Sequence, residues 1–219
     1  MIKTASEKHF DKIAKNYDYY KNKNSFYYEN LKKLLKSLIP QNKKVFEIGC
    51  GTGDLLAALE PITGYGMDIS SGMIRVANKK YAKSENLKFS TEWPKDKFDY
   101  IFMSDVIEHL EDPKETFFKI RGLMGEKTIF INTMANPVWE PILLIAEKLG
   151  LKMPEGPHNR IKYSDLRFMI EESGMKIIKH DYKLLVPTKI PLLTNLVNRH
   201  LEKYFKRLAF IEYFVAAKV

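Results

Sequence analysis

The sequence predicts an α/β fold built on a doubly wound, mostly parallel sheet. Three observations predict it. Short apolar runs alternate with segments whose apolar residues recur at helical spacing. One run, Phe98–Ser104, is apolar at nearly every position, as a strand covered on both faces should be. A glycine cluster, Gly49-Cys50-Gly51-Thr52-Gly53, stands directly between the first strand and the helix after it. Alternation of this kind implies βαβ crossovers.

In order, Phe10, Ile13, Ala14 and Tyr17 mark a first helix from Ser6 to about Tyr20. Phe26, Leu31, Leu34, Leu35 and Leu38 mark a second, closed by Pro40. Val45–Ile48 is a short buried strand, Asp54–Glu60 a helix and Gly64–Asp68 a second strand. Ser70–Lys83 is a helix capped by Ser70 or Ser71. Leu87–Ser90 and Phe98–Ser104 are the third and fourth strands, Pro113–Leu123 is helical, and Lys127–Thr133 is the fifth strand. Asn136–Asn159, rich in proline and apolar residues, interrupts the rhythm and reads as inserted. A helix over Ser164–Ser173 ends at Gly174; Met175–His180 is a strand, Ile190–Leu208 an amphipathic helix and Phe210–Val219 the last strand. The 219 residues therefore read as one domain: a helical lid (1–40), a ligand-binding half (41–135), an inserted segment (136–162) and a C-terminal half (163–219).

Composition narrows the classes. Lysine and arginine number 36 against 27 acidic residues, for a net charge of +9. Arginine, whose planar fork suits phosphates and base edges, accounts for only Arg75, Arg121, Arg160, Arg167, Arg199 and Arg207. The lysines are spread along the chain, which describes a solvated surface and disfavours nucleic acid as a partner. The lone cysteine, Cys50, excludes an internal disulfide framework and a multi-cysteine zinc module. No apolar run approaches the ~20 residues that span a bilayer, and Met1-Ile2-Lys3-Thr4 lacks a signal-peptide core. The expected location is cytoplasmic.

The glycine loop carries the functional signal. Glycines there let backbone approach a ligand, at the edge of a parallel sheet where ligands bind, although a purely structural turn would also use them. The spacing is G-x-G-x-G, and Asp54 stands where a dinucleotide fingerprint wants its third glycine or alanine. A carboxylate there would face a pyrophosphate, which disfavours NAD(P) and FAD. Glu47, on the preceding strand, suits a cationic group such as an ammonium. Asp68, nineteen residues past Gly49, can accept both hydroxyls of a ribose, its alternative being a helix N-cap. Ile69 offers an apolar face for an adenine ring, and Met73, one turn on, the other side.

On these residues the chain resembles the class I S-adenosylmethionine-dependent methyltransferases, and within them the small-molecule branch similar to ubiquinone and menaquinone biosynthesis enzymes. The matching stretches are Phe10-Asp11-x-x-Ala14-x-x-Tyr17-Asp18, Glu47-Ile48-Gly49-Cys50-Gly51-Thr52-Gly53, Asp68-Ile69-Ser70, Phe98-Asp99-Tyr100-Ile101 and Val106-Ile107-Glu108-His109-Leu110. The resemblance implies a Rossmann-like sheet of seven strands with the last antiparallel, and S-adenosylmethionine as cofactor. It implies that Glu47 and the backbone of Gly49, Cys50, Gly51, Thr52 and Gly53 hold the methionine portion and Asp68 the ribose. Ile69 and Met73 would flank the adenine, Ser104 would lie beneath the sulfonium, and Tyr17 would cover the cofactor from the lid.

Ser104-Asp105-Val106-Ile107-Glu108-His109 places two carboxylates and an imidazole on one face of a helical turn. His109 as general base, with Glu108 shaping the pocket, is the favoured reading, and no metal is assigned. The alternative is a divalent ion held by Asp105, Glu108, His109 and His158, as some similar quinone-pathway and small-RNA methyltransferases hold one. The expected substrate is a small molecule, quinone-like, lipid-linked or a glycan precursor. A metal-assisted RNA methyltransferase and a non-catalytic cofactor-binding partner subunit are the other readings. The apolar stretches Asn136–Leu149 and Ile190–Val197, the latter followed by basic residues, serve as lids or alternatively touch an anionic membrane surface.

Overall fold

The structure is a computed structural model that describes residues 3–151, 153, 156–157, 159, 161–191 and 193–219. Thr4 opens the first helix, its hydroxyl accepting from the Glu7 amide, and α1 runs Ala5–Ile13. One 3-10 turn, Ala14–Asn16, leads into α2 (Tyr17–Lys23), and α3 (Ser25–Leu38) follows. The expected first helix is thus two short helices joined by a turn. Strands and helices then alternate: β1 (Lys44–Ile48), α4 (Asp54–Ala58), β2 (Thr63–Met67), α5 (Ser71–Lys80) and β3 (Leu87–Ser90). Next come β4 (Phe98–Ser104), α6 (Pro113–Leu123) and β5 (Met124–Ala135). The C-terminal part adds α7 (Glu140–Lys148), α8 (Tyr163–Glu172), β6 (Met175–Lys183), α9 (Leu193–His200) and β7 (Ile211–Lys218).

Local chemistry sets the boundaries. Ser70 Oγ accepts from the Met73 amide at the head of α5, and Asp112 Oδ1 accepts from the Glu115 amide ahead of Pro113. Gly174, at φ +83°, ends α8.

The seven strands form one sheet in the order β3-β2-β1-β4-β5-β7-β6. The first five are parallel, and β7 runs antiparallel between β5 and β6. Strand order reverses between β1 and β4, so the crevice beyond their carboxyl ends is the place such sheets offer a ligand. Side chains alternate across the sheet. Val45, Phe102, Ile131 and Tyr213 pack toward α3 and α4, where Leu31, Leu35 and Leu56 are fully buried. Phe46, Ile101, Phe130 and Phe214 pack on the other face with Phe117 and Ile120 of α6 and Leu166 and Ile170 of α8.

One expected element is shorter than its pattern. The amphipathic spacing over Ile190–Leu208 predicts a continuous helix, whereas only Leu193–His200 is α-helical and a 3-10 turn occupies Lys206–Leu208. Tertiary hydrogen bonds override the periodicity. Glu202 turns to accept from the Leu184 amide at 2.7 Å and pairs with Lys183 at 3.0 Å, and the Leu208 carbonyl accepts from the Trp139 indole at 2.8 Å. Asn136 closes the same region: its side-chain amide donates to the carbonyls of Arg207 and Ala209, both at 2.9 Å, and its own amide to Phe210 O at 2.7 Å. Among the described residues no helix is long and apolar enough to cross a membrane.

Phe130 is wholly buried, with ring centroids 6.0 Å from Phe117 and 6.4 Å from Phe214. Phe130→Ala should lower unfolding free energy by about 3–5 kcal/mol in urea titrations, the cost of a cavity between sheet and helix. A loss under 1 kcal/mol would mean that this layer is not close-packed.

Candidate functional site

The period-two alternation of β1 puts Glu47 on the same face as Val45, toward α4, where its Oε2 accepts from the Leu56 amide at 3.1 Å. Burial pushes the Glu47 carboxyl well above the usual range, against the pull of the Lys21 ammonium and the Leu56 amide. The chain then turns through Gly49, Gly51 and Gly53 at φ +69°, +52° and +84°. A Cβ on Gly49 would lie 2.3 Å from Val106 Cγ2, and one on Gly51 3.0 Å from Tyr17 Cε1, so close approach as well as conformation requires glycine. Between them the Cys50 amide donates to Met67 O at 2.9 Å. Burial pushes the Cys50 thiol well up, which makes it packing and not a nucleophile. Thr52 is fully buried, and its hydroxyl donates to Asp18 Oδ1 at 2.6 Å.

Asp68 follows β2 and reaches back over this loop. Its Oδ2 accepts from the Gly51 amide at 2.8 Å and its Oδ1 from the Ser70 amide at 2.9 Å. Burial pushes its carboxyl up to about 6 against those two amides. Ser70, not Asp68, caps α5. Ile69 beside it is 43% exposed, while Met73 is fully buried against Ile13 and Ala14. The structure therefore brings Glu47, the glycine loop and Asp68 together and keeps the Met73 side chain beneath α1.

The N-terminal helices are clamped onto these elements. Asp11 accepts from Ser70 Oγ at 2.6 Å and the Gly72 amide at 2.8 Å, and pairs with Lys3. Burial opposes its charge, but Lys3, Ser70 and Gly72 together hold Asp11 at about 2. Tyr17 lays its ring on Gly51, and Asp18 also pairs with Lys80 at 2.8 Å. Lys21, which sequence reasoning did not single out, buries its ammonium 3.0 Å from Asp54 Oδ2. Tyr17 and Lys21 stand one turn apart on α2, and Tyr28 reaches the same ammonium from the next helix, so helical spacing within one element could not have found the set.

At the end of β4, Ser104 Oγ and the Oγ1 of its register partner Thr133 are buried without a hydrogen-bond partner among the described residues. Asp105 follows at φ +54°, a strained value for a residue other than glycine, and its backbone N–H donates to Thr133 O at 3.0 Å. Tyr27, also missed in the sequence, donates to Asp105 Oδ2 at 2.6 Å. Burial and Asp105 push the Tyr27 phenol well up, so the proton stays on Tyr27. Glu108 and His109 occupy a 3-10 turn, Ile107–His109, tighter than the helical turn expected. His109 Nδ1 lies 2.9 Å from Pro157 O, and its ring meets Phe10 edge-on at 5.2 Å. Glu108 lines a small cleft with Ile107, Met134, Ala135, Asn159 and Ile161. His158, the fourth member of the alternative metal set, lies outside the described residues; among those described, no three His, Cys, Asp or Glu form a group able to hold a metal ion.

The methyltransferase domain family matches residues 19–180. A ubiquinone biosynthesis O-methyltransferase of Pasteurella multocida is 25% identical over 55% of this chain and 59% of its own length, so the chain spans about three fifths of that relative. An S-adenosylmethionine-dependent methyltransferase structure from Thermotoga maritima superposes with a TM-score of 0.71 at 16% identity, over 98% of this chain and 100% of that one. The magnesium protoporphyrin IX methyltransferase of Synechocystis PCC 6803, with bound S-adenosylhomocysteine, gives 0.58 at 19% identity over 90% and 83%.

Gly49→Ala should cost about 1–3 kcal/mol of stability from its left-handed backbone alone, and more from the contact with Val106. Adding Val106→Ala should recover part of the loss in the same urea titration. No recovery would show that conformation, not crowding, demands the glycine.

Proposed function

The chain belongs to the class I S-adenosylmethionine-dependent methyltransferase family, and on that premise we propose that it transfers a methyl group from S-adenosylmethionine to a small-molecule acceptor. The observation that carries this is Asp68, a buried carboxylate bound to the Gly51 amide across a loop of left-handed glycines. The residues fit the cofactor: a carboxylate for ribose hydroxyls, a second at Glu47 for a cationic end, and a backbone cradle between them. When bound, S-adenosylmethionine supplies an electrophilic methyl on a sulfonium.

In this reading Glu47 and the backbone from Gly49 to Gly53 hold the amino-acid end, Asp68 orients the ribose, and Ile69 faces the adenine with Met73 packed behind. Ser104 lies under the reacting centre and Tyr17 excludes water from above. His109 takes the acceptor's proton. With the Nδ1 proton directed at Pro157 O, its basic lone pair is on Nε2. Glu108 shapes the acceptor's surroundings from the turn after β4. Alignment of the acceptor supplies most of the rate, since methyl transfer needs little acid–base chemistry once the nucleophile is in line. The relatives named for ubiquinone biosynthesis and magnesium protoporphyrin IX support a small-molecule acceptor, quinone-like before lipid-linked or glycan. Exposed Val138, Ile142 and Ile145, on the segment after β5, support an apolar one.

S-adenosylhomocysteine should raise the melting temperature, corresponding to about 2.7 kcal/mol at a hundredfold excess over Kd, and NAD should not. An equal shift with NAD would sink the reading. Asp68→Ala should weaken calorimetric affinity for S-adenosylhomocysteine by about 1.5–3 kcal/mol. Affinity of the unsubstituted chain should rise with pH through about 6 and level off above it, because protonated Asp68 loses acceptor capacity. A flat profile from pH 5 to 8 would remove Asp68 from the ribose contact.

A further inference from the structure

We infer that the chain contains, between α2 and the glycine loop, an ammonium subsite that its own Lys21 fills until the amino-acid end of the cofactor displaces it. The inference rests on the cofactor reading above and adds a competitor to it.

A lysine is seldom buried; its ammonium ordinarily reaches water on a flexible stem. Lys21 is 8% exposed. Its Nζ lies 3.0 Å from Asp54 Oδ2, 5.0 Å from the centre of the Tyr28 ring and 5.6 Å from that of Tyr17. It also draws on the Glu47 carboxyl from across the loop. Carboxylates on one side and aromatic faces on the other are what a cage for a substituted ammonium requires.

Lys21 is replaceable there. The other oxygen of Asp54 already takes Lys80 Nζ at 2.5 Å and Tyr81 Oη at 2.9 Å, so Asp54 keeps a counter-charge without Lys21. A second ammonium cannot enter beside Lys21, because it would need the contacts to Asp54 Oδ2 and to the Tyr28 and Tyr17 rings that Lys21 Nζ already takes. The carrier is also suited to move. Lys21 shares the seven-residue α2 with Tyr17, whose ring rests on Gly51, and the residues flanking α2, Asn16 and Asn24, have non-helical backbone angles. An ammonium entering beside the loop needs only the flexible Lys21 stem to swing outward, and Tyr17 and Tyr28 remain as the walls of the cage.

The test is calorimetry on the full chain with two probes. S-adenosylhomocysteine carries the ammonium, and 5′-methylthioadenosine lacks the amino-acid end altogether. Lys21→Met should tighten binding of S-adenosylhomocysteine about five- to tenfold by removing the competing state, and should leave 5′-methylthioadenosine unchanged. Lys21→Gln should act in the same direction. Unchanged or weaker S-adenosylhomocysteine binding in a folded variant overturns the inference, and weaker binding of that probe alone would place Lys21 on the ligand's carboxylate. Should neither variant fold, the unsubstituted chain decides with nitrogen-15-labelled lysine. Saturating S-adenosylhomocysteine should move the Lys21 ammonium signal to the position of exposed lysines, and an unmoved signal refutes displacement. Failure of the unsubstituted chain to bind either probe overturns the cofactor reading itself, a result separable from every Lys21 outcome.

Discussion

The crevice depends on one bidentate contact, the Asp68 carboxylate shared between the amides of Gly51 and Ser70. Those amides belong to two different connections, one after β1 and one after β2. A single side chain thereby fixes the spacing between two neighbouring strand ends. Desolvation makes this carboxylate sensitive: it is buried, its donors among the described residues are two neutral amides, and its proton affinity is raised accordingly. A ligand that brings further hydroxyl donors relieves that condition.

Around this contact the N-terminal helices are integral to the site. Asp11 seizes the Ser70 hydroxyl, the same group that caps α5, while Asp18 holds Thr52 in the loop. Each acidic residue of α1 and α2 named here reaches a different connection of the sheet. Tyr27 of α3 reaches a third at Asp105. The helices thus meet the sheet edge by hydrogen bonds at three successive connections, the last of them at the left-handed Asp105.

Much of this was legible in the sequence, for stated physical reasons. The strands announced themselves because a sheet covered on both faces needs continuous apolar runs, and the G-x-G-x-G spacing and Asp68 because close backbone approach and a buried carboxylate admit few other residue types. Ser70 as the cap of α5 followed from hydroxyl chemistry. Lys21, Tyr27 and Tyr28 were not legible, because lysine and tyrosine on a polar helix ordinarily face solvent and only the third dimension shows what they meet. Met73 was misplaced in emphasis: helical phase put it near Asp68, and packing put its side chain under α1. The helix over Ile190–Leu208 was overextended because periodicity carries no information about Glu202 being drawn to Leu184.

Asn136 has a consequence for how such a chain diversifies. It closes β5 and binds the backbone ahead of β7 through three hydrogen bonds, so the segment that follows it starts from a riveted point. α7, which begins four residues later, contributes no fully buried side chain. Sequence beyond the rivet can therefore drift, lengthen or be exchanged with little penalty to the sheet.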